Sequence, residues 1–71
     1  MTWNVYTGKF SSPEECRETQ VKLNASGFPG RIFALDGFWG LRVLSMGSEQ
    51  NAKDVCVLLK DAGFEPYVLN I

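Results

Sequence analysis

Few residues in this chain could do chemistry, and their types exclude most of it. Histidine is absent, which removes the usual general base and the commonest metal ligand. Cys16 and Cys56 stand too far apart in the chain to make a close-spaced metal pair. No metal and no cofactor is expected. Both cysteines fall on expected helices, where a thiol packs as a small apolar group; a disulfide between neighbouring helices is the alternative. Ser45 and Ser48 have no histidine to activate them. Glu14, Glu15, Glu18, Asp54 and Asp61 lie on expected helices and read as solvated faces or caps. Gly8-Lys9 lacks the rest of a phosphate-binding loop. Catalysis is therefore not expected. What remains is rings and guanidinium groups: Tyr6, Phe33 and Tyr67, with Arg31 and Arg42. Flat rings stack on sugar faces or bases, and guanidinium groups donate to hydroxyls, carbonyls or anions. That is the chemistry of recognition.

The elements that must position these groups are organised around a joint that occurs twice, Leu23-Asn24-Ala25-Ser26-Gly27-Phe28 and Leu59-Lys60-Asp61-Ala62-Gly63-Phe64. Each reads as a helix stop. Glycine can take the left-handed conformation that ends a helix, because it has no Cβ to clash. The preceding Leu and following Phe are the pair that meets in a Schellman stop. The two joints are 36 residues apart. At that offset Trp3 meets Trp39, Val5 meets Leu41, Ser12 meets Ser48, Val21 meets Val57 and Ile32 meets Val68. One strand–helix–strand unit is used twice.

Trp3 to Gly8 alternates as a first strand. Ser12 is an N-cap, Pro13 suits the first helical position, and Glu15 can close a capping box. The first helix runs from Pro13 to about Ser26. Its inner face carries Cys16, Thr19, Gln20 and Leu23, flanked by Val21 and Ala25. A second strand covers Gly30 to Leu35. Asp36-Gly37 reads as a two-residue hairpin turn, since both residues tolerate positive φ. A third strand covers Phe38 to Leu44. Ser48 begins a second helix with the better apolar stripe: Ala52, Val55, Cys56, Leu59 and Ala62. The fourth strand runs from Glu65 to the end, with Pro66 tolerable at a sheet edge or strand start. The order is βαββαβ. Right-handed crossovers put both helices on one face of a four-stranded sheet in the ferredoxin-like order 4-1-3-2, an α+β fold.

A turn at Asp36-Gly37 pairs Leu35 with Phe38, Phe33 with Gly40 and Arg31 with Arg42. Ile32 then faces Leu41, and Ala34 faces Trp39, on the other side. The helices should cover Val5, Ile32, Ala34, Trp39, Leu41, Val43 and Val68. The free face then displays Tyr6, Arg31, Phe33, Leu35, Phe38, Arg42, Leu44, Tyr67 and Leu69. A sheet with one side in water normally shows that side as polar. This one mixes aromatic and aliphatic groups with two arginines, which implies a partner. Neighbouring sequence or a second copy of the chain could also cover it. The expected contact residues are Tyr6, Arg31, Phe33, Arg42, Leu44 and Tyr67.

Composition bounds the rest. Seventy-one residues make one domain. A chain this short buries only about 60% of its unfolded surface. The apolar fraction is 45% and the charged fraction 21%, ordinary for a folded domain. A net charge of −1 and a pI near 5.2 argue against a general nucleic-acid binder. No apolar run approaches the roughly 18 residues of a membrane span, and no signal peptide precedes the first strand. The chain reads as one domain, residues 1–71, taken from a longer protein. The topology also serves RNA-recognition domains, metallochaperones and ligand-sensing domains. A metallochaperone would need a closely spaced cysteine pair. Phe38-Trp39-Gly40-Leu41-Arg42-Val43 is a poor copy of an RNA-binding strand. A ligand-sensing domain stays open.

The chain resembles the SPOR (sporulation-related repeat) domains. In that family strand 1 reads roughly Val-Gln-Val-Gly-Ser-Phe; here it is Val5-Tyr6-Thr7-Gly8-Lys9-Phe10. The family's first helix ends in Leu-x-x-x-Gly-Phe, matched by Leu23 to Phe28. Its third strand, roughly Arg-Val-x-Val-Gly-Pro-Phe, corresponds to Gly40 onward, with Leu44-Ser45-Met46 in place of the Gly-Pro-Phe turn. Its second helix ends again as Leu59 to Phe64 do. The resemblance covers nearly the whole chain, and the internal repeat belongs to it. It implies a non-catalytic module that binds peptidoglycan glycan strands stripped of stem peptides through the sheet face. Such a module targets a cell-wall, division or sporulation protein to the extracytoplasmic bacterial envelope. Tyr6 replaces the family's glutamine, so Arg42 or Arg31 takes the donor role, with Tyr6, Phe33 and Tyr67 as platforms. A protein-interaction or homodimerisation module using the same face is the alternative.

Overall fold

The computed structural model describes residues 2–70. The chain forms β1 (Trp3–Phe10), α1 (Pro13–Ala25), β2 (Arg31–Ala34), β3 (Trp39–Met46), α2 (Glu49–Asp61) and β4 (Pro66–Asn70). The two copies of the repeat are capped alike. Ser12 Oγ accepts the Glu15 N–H at 3.4 Å, and Ser48 Oγ accepts the Asn51 N–H at 3.3 Å. The return arm of the first box lands one residue upstream: the Glu15 carboxylate accepts from the Ser11 N–H, at 3.0 Å. Both helices end in Schellman stops. Phe28 N–H donates to Leu23 O and Phe64 N–H to Leu59 O, each at 3.0 Å. Gly27 and Gly63 supply the positive φ, 89° and 93°.

The sheet order is β2-β3-β1-β4 with every neighbouring pair antiparallel, so β1 and β3 are central as expected. β4 is an edge that opens with Pro66 opposite Thr7; its expected extension to Ile71 lies outside the described residues. The β2–β3 register is Arg31↔Arg42, Ile32↔Leu41, Phe33↔Gly40 and Ala34↔Trp39. The Leu35 N–H closes the hairpin on Phe38 O at 2.7 Å. Only Gly37 in this turn takes positive φ, 84°. Asp36 does not adopt the left-handed conformation a two-residue primed turn would demand, because one glycine suffices to reverse the chain.

The helices cover one face. Val5, Leu41 and Val43 of the sheet meet Cys16 and Leu23 of α1 and Ala52, Val55 and Leu59 of α2 in one buried cluster. The inner face of α1 is thin, with only Cys16 and Leu23 buried. Gln20 reinforces it by donating to Gly30 O at 2.9 Å, which ties α1 to the start of β2. Val21 and Ala25, expected to flank that face, are exposed, as is Ala62 at the end of α2. Cys16 and Cys56 are free thiols, the first buried and the second half-buried.

β1 and β3 run further than alternation suggests, to Phe10 and Met46 instead of Gly8 and Leu44, because each contains an irregularity. In β1 the register steps from Thr7↔Leu41 to Phe10↔Trp39. Gly8 and Lys9 therefore share the space opposite Gly40. Gly8 has φ 77°, and a Cβ there would run into the Phe10 ring. Such a bulge needs glycine, and it shifts the alternation by one. Phe10 turns in to pack against the core. In β3, Val5↔Leu44 is followed by Tyr6↔Arg42, which leaves Val43 as the extra residue. Beyond it, Leu44 and Met46 pair with Val5 and Trp3, and Met46 and Trp3 both pack against the core.

Candidate functional site: the open sheet face

β1, β2, β3 and β4 each contribute to the face opposite the helices. Tyr6 lies at its centre. It stacks on Tyr67 of β4, with ring centroids 5.8 Å apart and planes 14° from parallel. On the other side it meets Phe33 of β2 edge-on at 6.4 Å. Phe38, at the hairpin, tilts against Tyr67 at 6.3 Å. The Arg42 guanidinium lies over the Phe33 ring at 4.2 Å, a geometry that holds a planar cation while leaving its edge donors free. Arg31 stands directly across from Arg42 and is exposed.

Four of the six expected contact residues, Arg31, Phe33, Arg42 and Tyr67, thus gather on this face with partly or fully exposed side chains. Tyr6 reaches the face but is only 3% exposed. The neighbouring strands bring rings over it, so it supports the platform from beneath and is not its surface. Leu44 is not on the face. The extra residue at Val43 places it across from Val5, and cross-strand partners project to the same side of a sheet. Its place on the open face is taken by Ser45, whose hydroxyl donates to Asn4 Oδ1 at 2.6 Å.

Lys9 is the face's unexpected member. The bulge at Gly8 turns it away from the helices, and its ammonium lies 5.5 Å from the ring centroids of both Phe38 and Tyr67. The signal was present in the sequence: a glycine inside a strand marks a bulge, and the inward-facing Phe10 comes one residue later than the alternation of Trp3, Val5 and Thr7 allows. Two contacts fix this corner. Tyr67 Oη donates to Gly8 O at 2.8 Å, and Gly40 leaves room for that hydroxyl. A Cβ on Gly40 would sit 2.6 Å from Tyr67 Oη and 2.9 Å from Leu35 Cδ1.

The charge is sorted by element. The four strands carry Lys9, Arg31 and Arg42 and no carboxylate. All eight carboxylates lie on the helices and loops, with the other four cations. The ion pairs Lys22–Glu18 and Lys53–Glu49 sit on the helices as (i, i+4) contacts. A domain of net charge −1 therefore presents a cationic, ring-lined face.

Burial raises the Tyr67 hydroxyl to about 12, helped by Tyr6 and then Cys16, so this ring stays neutral at physiological pH. Burial also raises the Cys16 thiol, with Glu15 and Glu14 adding to it, and burial alone raises Cys56. Neither is an activated nucleophile. Among the described residues no group of three or more His, Cys, Asp or Glu could hold a metal ion. No helix among them is long and apolar enough to cross a membrane.

This arrangement, two half-repeats under one sheet with an open aromatic face, has a known family. The SPOR domain family model matches residues 2–70, and the chain belongs to that family. Among solved structures, it is similar to the peptidoglycan binding domain of the B. subtilis cell wall lytic enzyme CwlC, determined in solution. The TM-score is 0.80 at 24% identity, covering 96% of this chain and 86% of that one. No curated protein matches the chain.

Proposed function

We propose that this SPOR domain is a non-catalytic module that binds peptidoglycan glycan strands through its open sheet face. It acts in the extracytoplasmic envelope, where it targets a cell-wall, division or sporulation protein to its site. One observation carries the assignment of the face: Phe33, Phe38 and Tyr67 form a half-buried ring platform edged by Arg31 and Arg42, on a sheet whose strands hold no carboxylate. Pyranose rings lay their C–H faces on aromatic rings, and their hydroxyl and carbonyl oxygens accept from guanidinium groups. The likeness to a domain named for peptidoglycan binding supports the ligand class.

Arg42→Ala should weaken sedimentation with amidase-treated sacculi by roughly tenfold, the loss of one charge-assisted contact, and leave the circular dichroism spectrum unchanged. Wild-type protein that stays in the supernatant overturns the glycan reading. A concentration-dependent dimer that dissolves on Phe33→Asp would instead give the face to a second copy of the chain.

A further inference from the structure

The corner made by Lys9, Phe38 and Tyr67 is distinct from the Arg42–Phe33 end of the platform. Beside it, Gly8, Lys9, Glu65, Pro66 and Tyr67 line a cleft of roughly 330 Å³ that Phe38 does not reach, and its carboxylate, Glu65, is not paired with Lys9. The corner has the components of a subsite. Two rings tilt toward one another and supply an apolar floor. A single ammonium stands over both. Among the described residues no carboxylate lies within ion-pairing distance of it. The Tyr67 hydroxyl is already spent on Gly8 O, so Lys9 is the group at this corner that remains free to donate to a ligand.

We infer that Lys9 is a specificity residue for a carboxylate-bearing sugar, and that Phe38 and Tyr67 form the floor on which that sugar's ring lies. The inference rests on the glycan reading and refines it. In a glycan strand stripped of its stem peptides, alternate sugars carry a 3-O-lactyl group that ends in a free carboxylate; the sugars between them carry none. A neutral platform binds both kinds alike. A cation at the edge of a ring floor separates them. The cation–π hold on an exposed lysine is weak, and its four-carbon stem is flexible, so the ammonium can leave the rings for a carboxylate while its methylenes stay in contact. Lys9 occupies the Ser position of the family's Val-Gln-Val-Gly-Ser-Phe pattern, which makes this corner a property of this chain.

The test compares two soluble ligands by isothermal titration calorimetry: glycan strands from amidase-treated peptidoglycan, and chitooligosaccharides of matched length, which lack the lactyl carboxylate. Wild-type protein should prefer the carboxylate-bearing strands roughly five- to tenfold, and the preference should shrink as salt rises. Lys9→Met keeps the stem and removes the charge. It should lower affinity for the carboxylate-bearing strands severalfold more than affinity for the chitooligosaccharides, and so shrink the preference; Arg31 and Arg42 keep what remains of it. Lys9→Arg should keep the preference. Equal losses for both ligands, or no loss for either, would overturn the role of Lys9 and leave the glycan reading standing. Wild-type protein that binds neither ligand would overturn both.

Discussion

A methyl group at Gly40 would crowd the ends of two side chains. Phe33 is its partner on β2, and Tyr67 Oη and Leu35 Cδ1 fill the space its Cβ would need. Gly40→Ala must therefore displace the ends of Tyr67 and Leu35, which strains the Tyr67 bond to Gly8 O. We expect a loss of about 1–3 kcal/mol, read from urea unfolding, together with weaker glycan binding as the floor beside Lys9 shifts. The residues of the face were unequally legible. Arg31, Phe33, Arg42 and Tyr67 follow from simple alternation once the hairpin turn is fixed. Tyr6 follows too, but its burial does not, because that depends on rings from two strands far away in sequence. Leu44 was misplaced and Lys9 was missed for one reason: alternation assumes that every residue of a strand is paired, and Val43 and Gly8 break that assumption.

At the scale of elements, the repeat was the most readable feature. Cap, helix and stop recur in the same order, and both helices are 13 residues long. The stops rest on local chemistry, since Gly27 and Gly63 need positive φ and nothing crowds the place of their Cβ atoms. Gly63→Ala should cost about 1 kcal/mol or more, from backbone strain alone. A urea midpoint that does not move would mean that the stop tolerates a side chain. Bulges are less readable than caps. A cap is set by residues next to one another, whereas a bulge is set by what the partner strand offers across the gap. Here Gly40 makes that gap, and its effect on Gly8 spans two elements.

For the molecule as a whole, stability and binding surface are coupled through Tyr67. Its hydroxyl ionises near 12 in the folded protein and near 10 in an unfolded chain. The raised value means the folded state holds this proton more tightly. Its contribution is complete below about pH 10 and is lost as pH rises through about 12. Tyr67→Phe should make the fall in stability between those values shallower, measured by thermal melts across that range. The sorting of charge, with three cations and no carboxylate on the strands, could not be read from net charge, which averages it away. One consequence of the topology concerns force. β1 and β4 are antiparallel neighbours, and Trp3 pairs with Asn70, so the outer ends of these strands leave the sheet side by side. A pull on both ends would load that pair alone, then the next, and peel the edge strand away like a zipper. The domain is thus weakest as a link pulled from both ends.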